Sequence, residues 1–257
     1  MQPTPPTATT WTVVGASVAG TSHAEHAQPC QDAHAYATLP AVGGVALAVS
    51  DGAGSVSHAE AGARLAADTA VETARRLLAV PPVDRTEDAW RALLKSILEQ
   101  ARDAVVEAAR AAGLPPREFS ATLILAIVTG DTIAAAQIGD GACVVATEAG
   151  ETLSLTGPVI AEYLNETTFL VSPNGIDSAR FSVWSGTPAG VALLSDGFQG
   201  LALKLPSGIA HGGFFRPLLD FARNGGTTEG LTEWMNSPKV TAKTDDDLTL
   251  LLAVPAA

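Results

Sequence analysis

Three apolar runs in this 257-residue chain each end in an Asp-Gly pair: VALAVS before Asp51-Gly52, AAAQIG before Asp140-Gly141 and VALLS before Asp196-Gly197. An acidic triplet, Asp245-Asp246-Asp247, opens the last apolar run, LTLLLAV. A carboxylate at the tip of a buried strand is held by a rigid scaffold, and a Gly beside it lets backbone or ligand approach closely. Several such tips converging would make an all-oxygen site for a hard divalent cation such as Mg²⁺ or Mn²⁺, which points to phosphate chemistry. Asp-Gly is also a hairpin turn pair, and for any single pair the turn is the default reading. Three pairs after runs that read as fully buried strands, with the triplet behind them, favour the site.

The elements that would position these residues follow from hydrophobic period and breakers. Residues 1–10 are Pro/Thr-rich and read as a disordered tail, with residues 11–257 as one domain. Trp11 to Ser17, Ala33 to Leu39 and Val45 to Ser50 read as strands. Helical spacing of Leu65, Thr69, Thr73 and Leu77 predicts a helix from His58 to Val80, stopped by Pro81-Pro82. A second runs from Thr86 to Ala112, with Trp90, Leu94, Ile97, Ala101, Ala104 and Ala108 on one face and Gly113 and Pro115-Pro116 as stops. TLILAIV, TIAAAQIG, ACVVAT, ETLSL, TFLVS, ARFSVWS and GVALLS then read as a run of strands. Helices return over Gly213–Arg223 and Glu229–Asn236 before the final strand. This order lacks the βα alternation of a parallel sheet. It fits an α+β fold: a four-layer α/β/β/α sandwich, two antiparallel sheets flanked by antiparallel helix pairs.

Composition narrows the partners. Fifteen basic against 27 acidic residues leave a formal charge of −12, which repels a nucleic-acid backbone. Cys30 and Cys143 lack metal-ligand spacing and are too few for a disulfide scaffold, so they read as small buried residues in a reducing compartment. The N-terminal stretch MQPTPPTATT has neither the basic residue nor the apolar core of a signal peptide, and no run is long enough to span a bilayer. The expected location is cytoplasmic, with no membrane partner.

In order, Gln31-Asp32, VSDGAGS, SATLILA, QIGDG, LLSDGF and DDLTLLLA make the chain, from about residue 12 to 254, resemble the PP2C family of metal-dependent Ser/Thr protein phosphatases, in a divergent bacterial branch. The resemblance implies the same sandwich and two Mn²⁺ or Mg²⁺ ions, with a third in question. Carried over by motif, Asp51 bridges two metals and the carbonyl of Gly52 is a further ligand. Asp196 is a ligand of the first metal. The family's last Asp lies three residues before a Ser or Thr, so Thr249 selects Asp246. Asp32 matches a carboxylate that holds metal-bound water, and Asp140 a ligand of an additional, weaker metal. The implied reaction is in-line attack on phosphorus by a metal-bridging water, with no phosphoenzyme and no Ser or Cys nucleophile.

Four departures stand out. Gln31 replaces an acidic residue, removing a negative charge near the metals. Ala27 stands where a phosphate-binding Arg is expected, with His23 and His26 close by as partial substitutes or as ordinary solvated side chains. Gly200 replaces a second Asp, and Gly139-Asp140-Gly141-Ala142 replaces a GDSR-type motif, so Asp140 is an extra metal ligand or a plain turn residue. The stretch between Asp140 and Asp196 is short, implying a small flap and an open site. His58 and His211 read as helix starts. The implied function is phosphatase action on phosphoserine or phosphothreonine in proteins, the partner being a Ser/Thr kinase or its targets. A weak or inactive regulatory domain and a small-molecule phosphohydrolase are the alternatives.

Overall fold

The computed structural model describes residues 10–26, 28–158 and 167–256. Residues 1–9, Ala27, residues 159–166 (within the stretch between Asp140 and Asp196) and Ala257 lie outside the described residues. One antiparallel sheet contains β1 (Trp11–Val18), β12 (Leu248–Pro255), β9 (Pro188–Leu194), β6 (Ala142–Thr147) and β7 (Thr152–Thr156), in that spatial order. The other contains β2 (Ala33–Leu39), β3 (Gly44–Ser50), β4 (Leu123–Val128), β5 (Thr132–Ile138) and β8 (Arg180–Ser185). A two-stranded hairpin, β10 (Leu203–Lys204) with β11 (Ile209–Ala210), stands apart from them. The helices are α1 (Thr21–Glu25), α2 (Ala59–Leu77), α3 (Glu87–Ala111), α4 (Gln199–Ala202), α5 (Gly212–Arg223), α6 (Thr228–Met235) and α7 (Pro238–Thr241).

Side-chain size decides which face of each buried strand meets which layer. All seven residues of β3 are buried. Ala46 and Ala48 face α2, while Val45, Leu47 and Val49 fill the space between the sheets. The inter-sheet core adds Ile124, Val191, Leu193 and Leu251. On the far side Leu194, Leu250, Leu252 and Val254 meet Phe215, Leu219 and Leu231 of α5 and α6. The result is the four-layer α+β sandwich.

Three expectations need correction. The buried row of α2 is Ala63, Ala66, Ala67, Ala70 and Ala74, with Thr73; Leu65 and Thr69 are half-buried and Leu77 is exposed. Small side chains let the helix settle close on Ala46 and Ala48, which Leu would prevent. In α3 the inner row ends on Val105 and Ala109, leaving Ala104 and Ala108 half-buried. Residues 168–172, TFLVS, form a turn: the Leu170 amide bonds to the Ala121 carbonyl at 2.8 Å and that of Ser172 to the Phe169 carbonyl at 3.0 Å. His58 and His211 do flank helix starts, and the Nδ1 of His211 accepts from the Gly213 amide at 3.1 Å.

Candidate active site

The carboxylates gather at one end of the sandwich because of strand register. Ala33 pairs with Ser50, which sets Asp32 beside Asp51, just before β2 and just after β3. Leu250 pairs with Leu194, which sets the residues before β12 near Asp196, just after β9. Asp140 lies where the chain leaves one sheet at Ile138 and enters the other at Ala142, a crossing opened by Gly139 at φ 105°.

The Gly after each Asp is set by packing. A β-carbon on Gly52 would stand 2.6 Å from the Gln31 carbonyl oxygen and 2.8 Å from that of Ala59. On Gly141 or Gly197 it would overlap the carbonyl oxygen of Leu194 or Asp247. None of these three has a positive φ. The tips are therefore close backbone crossings, not hairpin turns.

Segment 120–122 clamps the first tip: the Asp51 amide bonds to Thr122 Oγ1 at 3.0 Å, the Thr122 amide to the Asp51 carbonyl at 2.8 Å, and the Ala53 amide to the Ser120 carbonyl at 2.9 Å. These tips line a cavity of about 190 Å³ together with His23, Thr122, Thr167 and Phe169. Asp51, Asp140, Asp196, Asp246 and Asp247 all border it, and no Lys or Arg is among its described lining residues. Asp140 Oδ2 accepts from the Thr167 hydroxyl at 2.7 Å. A larger cavity of about 370 Å³ between α5 and α6 is lined by Phe214, Leu218 and Trp234, has no titratable group, and shares no residue with the first.

Asp32 is 3% exposed. Neither of its carboxylate oxygens, nor Oδ1 of Asp196, has a regular hydrogen-bond partner among the described residues. Burial pushes the Asp32 carboxyl up to about 7, with Asp247 and Asp196 adding to it and the nearby Ser195 and Thr249 hydroxyls easing it. Asp196 rises to about 6, again by burial and by Asp140 and Asp246. Asp51 is held well above the usual carboxylate range by burial, Asp32 and Asp196. Asp246 is raised by burial and by Asp247.

Among the described residues no three His, Cys, Asp or Glu side chains close round one point at metal-ligand distance. The donors are nonetheless all oxygen, and several are buried and unpartnered, which fits a hard divalent cation. The structure also separates the members of the acidic triplet. Asp247 is 3% exposed and accepts from the amides of Gly20 and Gln31 and from His23, whereas Asp245 and Asp246 are both exposed and of these two only Asp246 borders the cavity. His23 borders the cavity; His26 is exposed, its Nδ1 turned to the Ser22 carbonyl at 2.8 Å. Sequence reasoning missed Asp247, Thr122, Thr167 and Phe169, whose roles depend on partners far away in the chain.

A family model described as protein phosphatase 2C matches residues 19–236. The chain belongs to the protein phosphatase 2C family. It is 32% identical over 257 residues to the serine/threonine-protein phosphatase 3 of Escherichia coli (strain K12), covering 95% of this chain and 98% of that one. Solved family-like structures share the fold. Serine/threonine phosphatase Stp1 from Staphylococcus aureus has a TM-score of 0.65 at 13% identity, covering 95% of each chain. A bacterial serine phosphatase has 0.63 at 16%, covering 95% of this chain and 98% of that one. RsbX in complex with magnesium has 0.56 at 15%, covering 96% of each. No described helix is long and apolar enough to cross a membrane.

Proposed function

We propose that this PP2C-family chain hydrolyses phosphoserine and phosphothreonine in proteins with the help of Mn²⁺ or Mg²⁺, acting in the cytoplasm on a kinase or its targets. The observation that carries the reading is the convergence of Asp51, Asp196 and Asp246 on one small cavity, with the buried Asp32 beside Asp51 and the oxygens of Asp32 and Oδ1 of Asp196 left without partners among the described residues. The Escherichia coli phosphatase supports the same class, and RsbX, a structure of like fold in complex with magnesium, is consistent with a divalent ion. Asp51, the Gly52 carbonyl, Asp196 and Asp246 would hold two ions, Asp32 would act through water, and Asp140 is the candidate for a third. Bound there, the ions would lower the pKa of a bridging water and neutralise the phosphoryl oxygens.

The chain's own groups do the rest. Thr122 and Ser120 fix the backbone of Asp51. Asp247 ties α1 and Gln31 to the loop that carries Asp246. Asp32, beside Ser195 and Thr249, is placed to orient a water and hold its proton. Phe169 and Thr167 wall off one side.

The test is turnover of a phosphoserine peptide by purified protein with Mn²⁺. Turnover should stop with chelator and in Asp51→Asn, with the fold kept by circular dichroism. No turnover of phosphopeptide or aryl phosphate would refute it. The lack of any Lys or Arg among the described lining residues favours one second reading, a regulatory domain that binds metal without catalysis. Calorimetric Mn²⁺ binding without turnover would establish that instead. Equal or faster rates on small phosphates would indicate a small-molecule phosphohydrolase.

A further inference from the structure

The nearly sealed Asp247 uses both carboxylate oxygens. It accepts from the Gly20 amide at 2.7 Å, the Gln31 amide at 2.6 Å and His23 Nδ1 at 2.8 Å. Oδ1 accepts from the Gly20 amide and is set to accept from Nδ1 as well, which assigns a hydrogen to Nδ1 and holds the ring in one orientation. The other ring nitrogen, Nε2, has no hydrogen-bond partner among the described residues and faces Gly54. A β-carbon on Gly54 would stand 3.9 Å from Nε2 and 3.9 Å from Oε1 of Gln31, itself buried and unpartnered. Two unpaired polar groups thus flank an open spot beside Asp51 and Gly52, and the bare backbone of Gly54 keeps it open.

Charge makes that spot distinct. Among the described lining residues five are carboxylates and none is Lys or Arg, which leaves the His23 ring as their one nitrogen-bearing side chain. Carboxylates accept hydrogen bonds and protons, which suits an attacking water. A seryl or threonyl oxygen, by contrast, leaves as a strongly basic alkoxide unless it is protonated as the bond breaks.

We propose, resting on the phosphatase reading above, that His23, as an imidazolium, is a catalytic residue whose Nε2–H protonates the departing seryl or threonyl oxygen, with Asp247 as its positioning residue. In that step the water oxygen bonds to phosphorus, and the electron pair of the breaking P–O bond passes to the seryl oxygen. That oxygen takes the Nε2 proton, and the imidazole regains one released by the attacking water through solvent. The products are a free hydroxyl and inorganic phosphate, so atoms and charge balance. This differs from a phosphate clamp, which would aid every phosphomonoester alike.

The experiment compares His23→Gln with the unmodified protein on a phosphoserine peptide and on p-nitrophenyl phosphate, both with Mn²⁺. The aryl oxygen leaves as a stable anion and needs no proton. The variant should therefore lose on the order of 100-fold in kcat on the peptide and change little on the aryl ester. Asp247→Asn should show the same split in milder form. Gly54→Leu, which fills the spot without backbone strain, should block the peptide. Melting curves confirm folding, and His23→Asn replaces the Gln variant if that one melts early. Equal losses on both substrates, or none, overturn the role of His23 while leaving the phosphatase reading intact. An unmodified protein that turns over neither substrate overturns both.

Discussion

Replacing Asp32 by Asn should stabilise the metal-free protein at neutral pH while abolishing turnover. The Asp32 carboxyl titrates near 3.8 when exposed but at about 7 in the fold, a rise of roughly three units caused first by burial. Each unit corresponds to about 1.4 kcal/mol, so charging this group in the fold costs ~4 kcal/mol. At 3% exposure solvent screens little of that. The sign follows from the protons. Folded protein binds this proton more tightly than unfolded, so its contribution is intact below pH 3.8, is lost as pH rises towards 7, and is fully lost above.

Asn carries no charge and has no such dependence. Its buried amide costs about 1–3 kcal/mol where unpaired, but that term is the same at every pH. More than half of the electrostatic loss develops between pH 5 and pH 7, given the roughly 1.4 kcal/mol per unit above. In chelator, the gain in Tm of Asp32→Asn over the unmodified protein should therefore be larger at pH 8 than at pH 5. The difference should be about 5 °C or more, at roughly 2–4 °C per kcal/mol for a domain of this size. The assay is thermal unfolding in chelator at the two pH values. A gain that is equal at both, or larger at pH 5, would refute the placement of Asp32 as a buried, unpaired carboxylate.

Other consequences are more local. Asp246→Asn should weaken Mn²⁺ binding by calorimetry without lowering metal-free stability, whereas Asp247→Ala should cost about 3 kcal/mol or more in urea unfolding by stranding three donors. Gly141→Ala should cost about 1–3 kcal/mol by the same measurement, because its β-carbon overlaps the Leu194 carbonyl. His26→Ala should leave kcat and Tm unchanged, since its ring bonds only to the Ser22 carbonyl of its own helix.

Strands such as LTLLLAV were legible in the sequence because both of their faces are buried. For the same reason the sequence hid which face meets which layer, and the usable signal was side-chain size. Ala46 and Ala48 mark the helix side of β3 and Leu47 the sheet side. Choosing the inner row of α2 by size misled in the opposite sense, since a tight helix–sheet contact selects its alanines. TFLVS has strand composition, but its backbone donors are used in a turn and on Ala121, a partner local sequence cannot reveal. At the site, motif and position picked out Asp51, Asp196 and Asp246, which the fold brings to one cavity. Asp247 was not: its acceptor role depends on Gly20 and Gln31, at sequence separations of 227 and 216.

The two sheets contribute unequally placed halves of the site. Asp32 and Asp51 are anchored on one sheet and Asp196 and Asp246 on the other, with Asp140 on the strap between them. Leu47, Ile124, Leu193 and Leu251 act as the spacers between those halves. A methylene added or removed there would change the gap across which the carboxylates face each other, far from any of them. The interior of the sandwich thus works as a calliper for the site, and its residues set the separation of the facing carboxylates as well as contributing to stability.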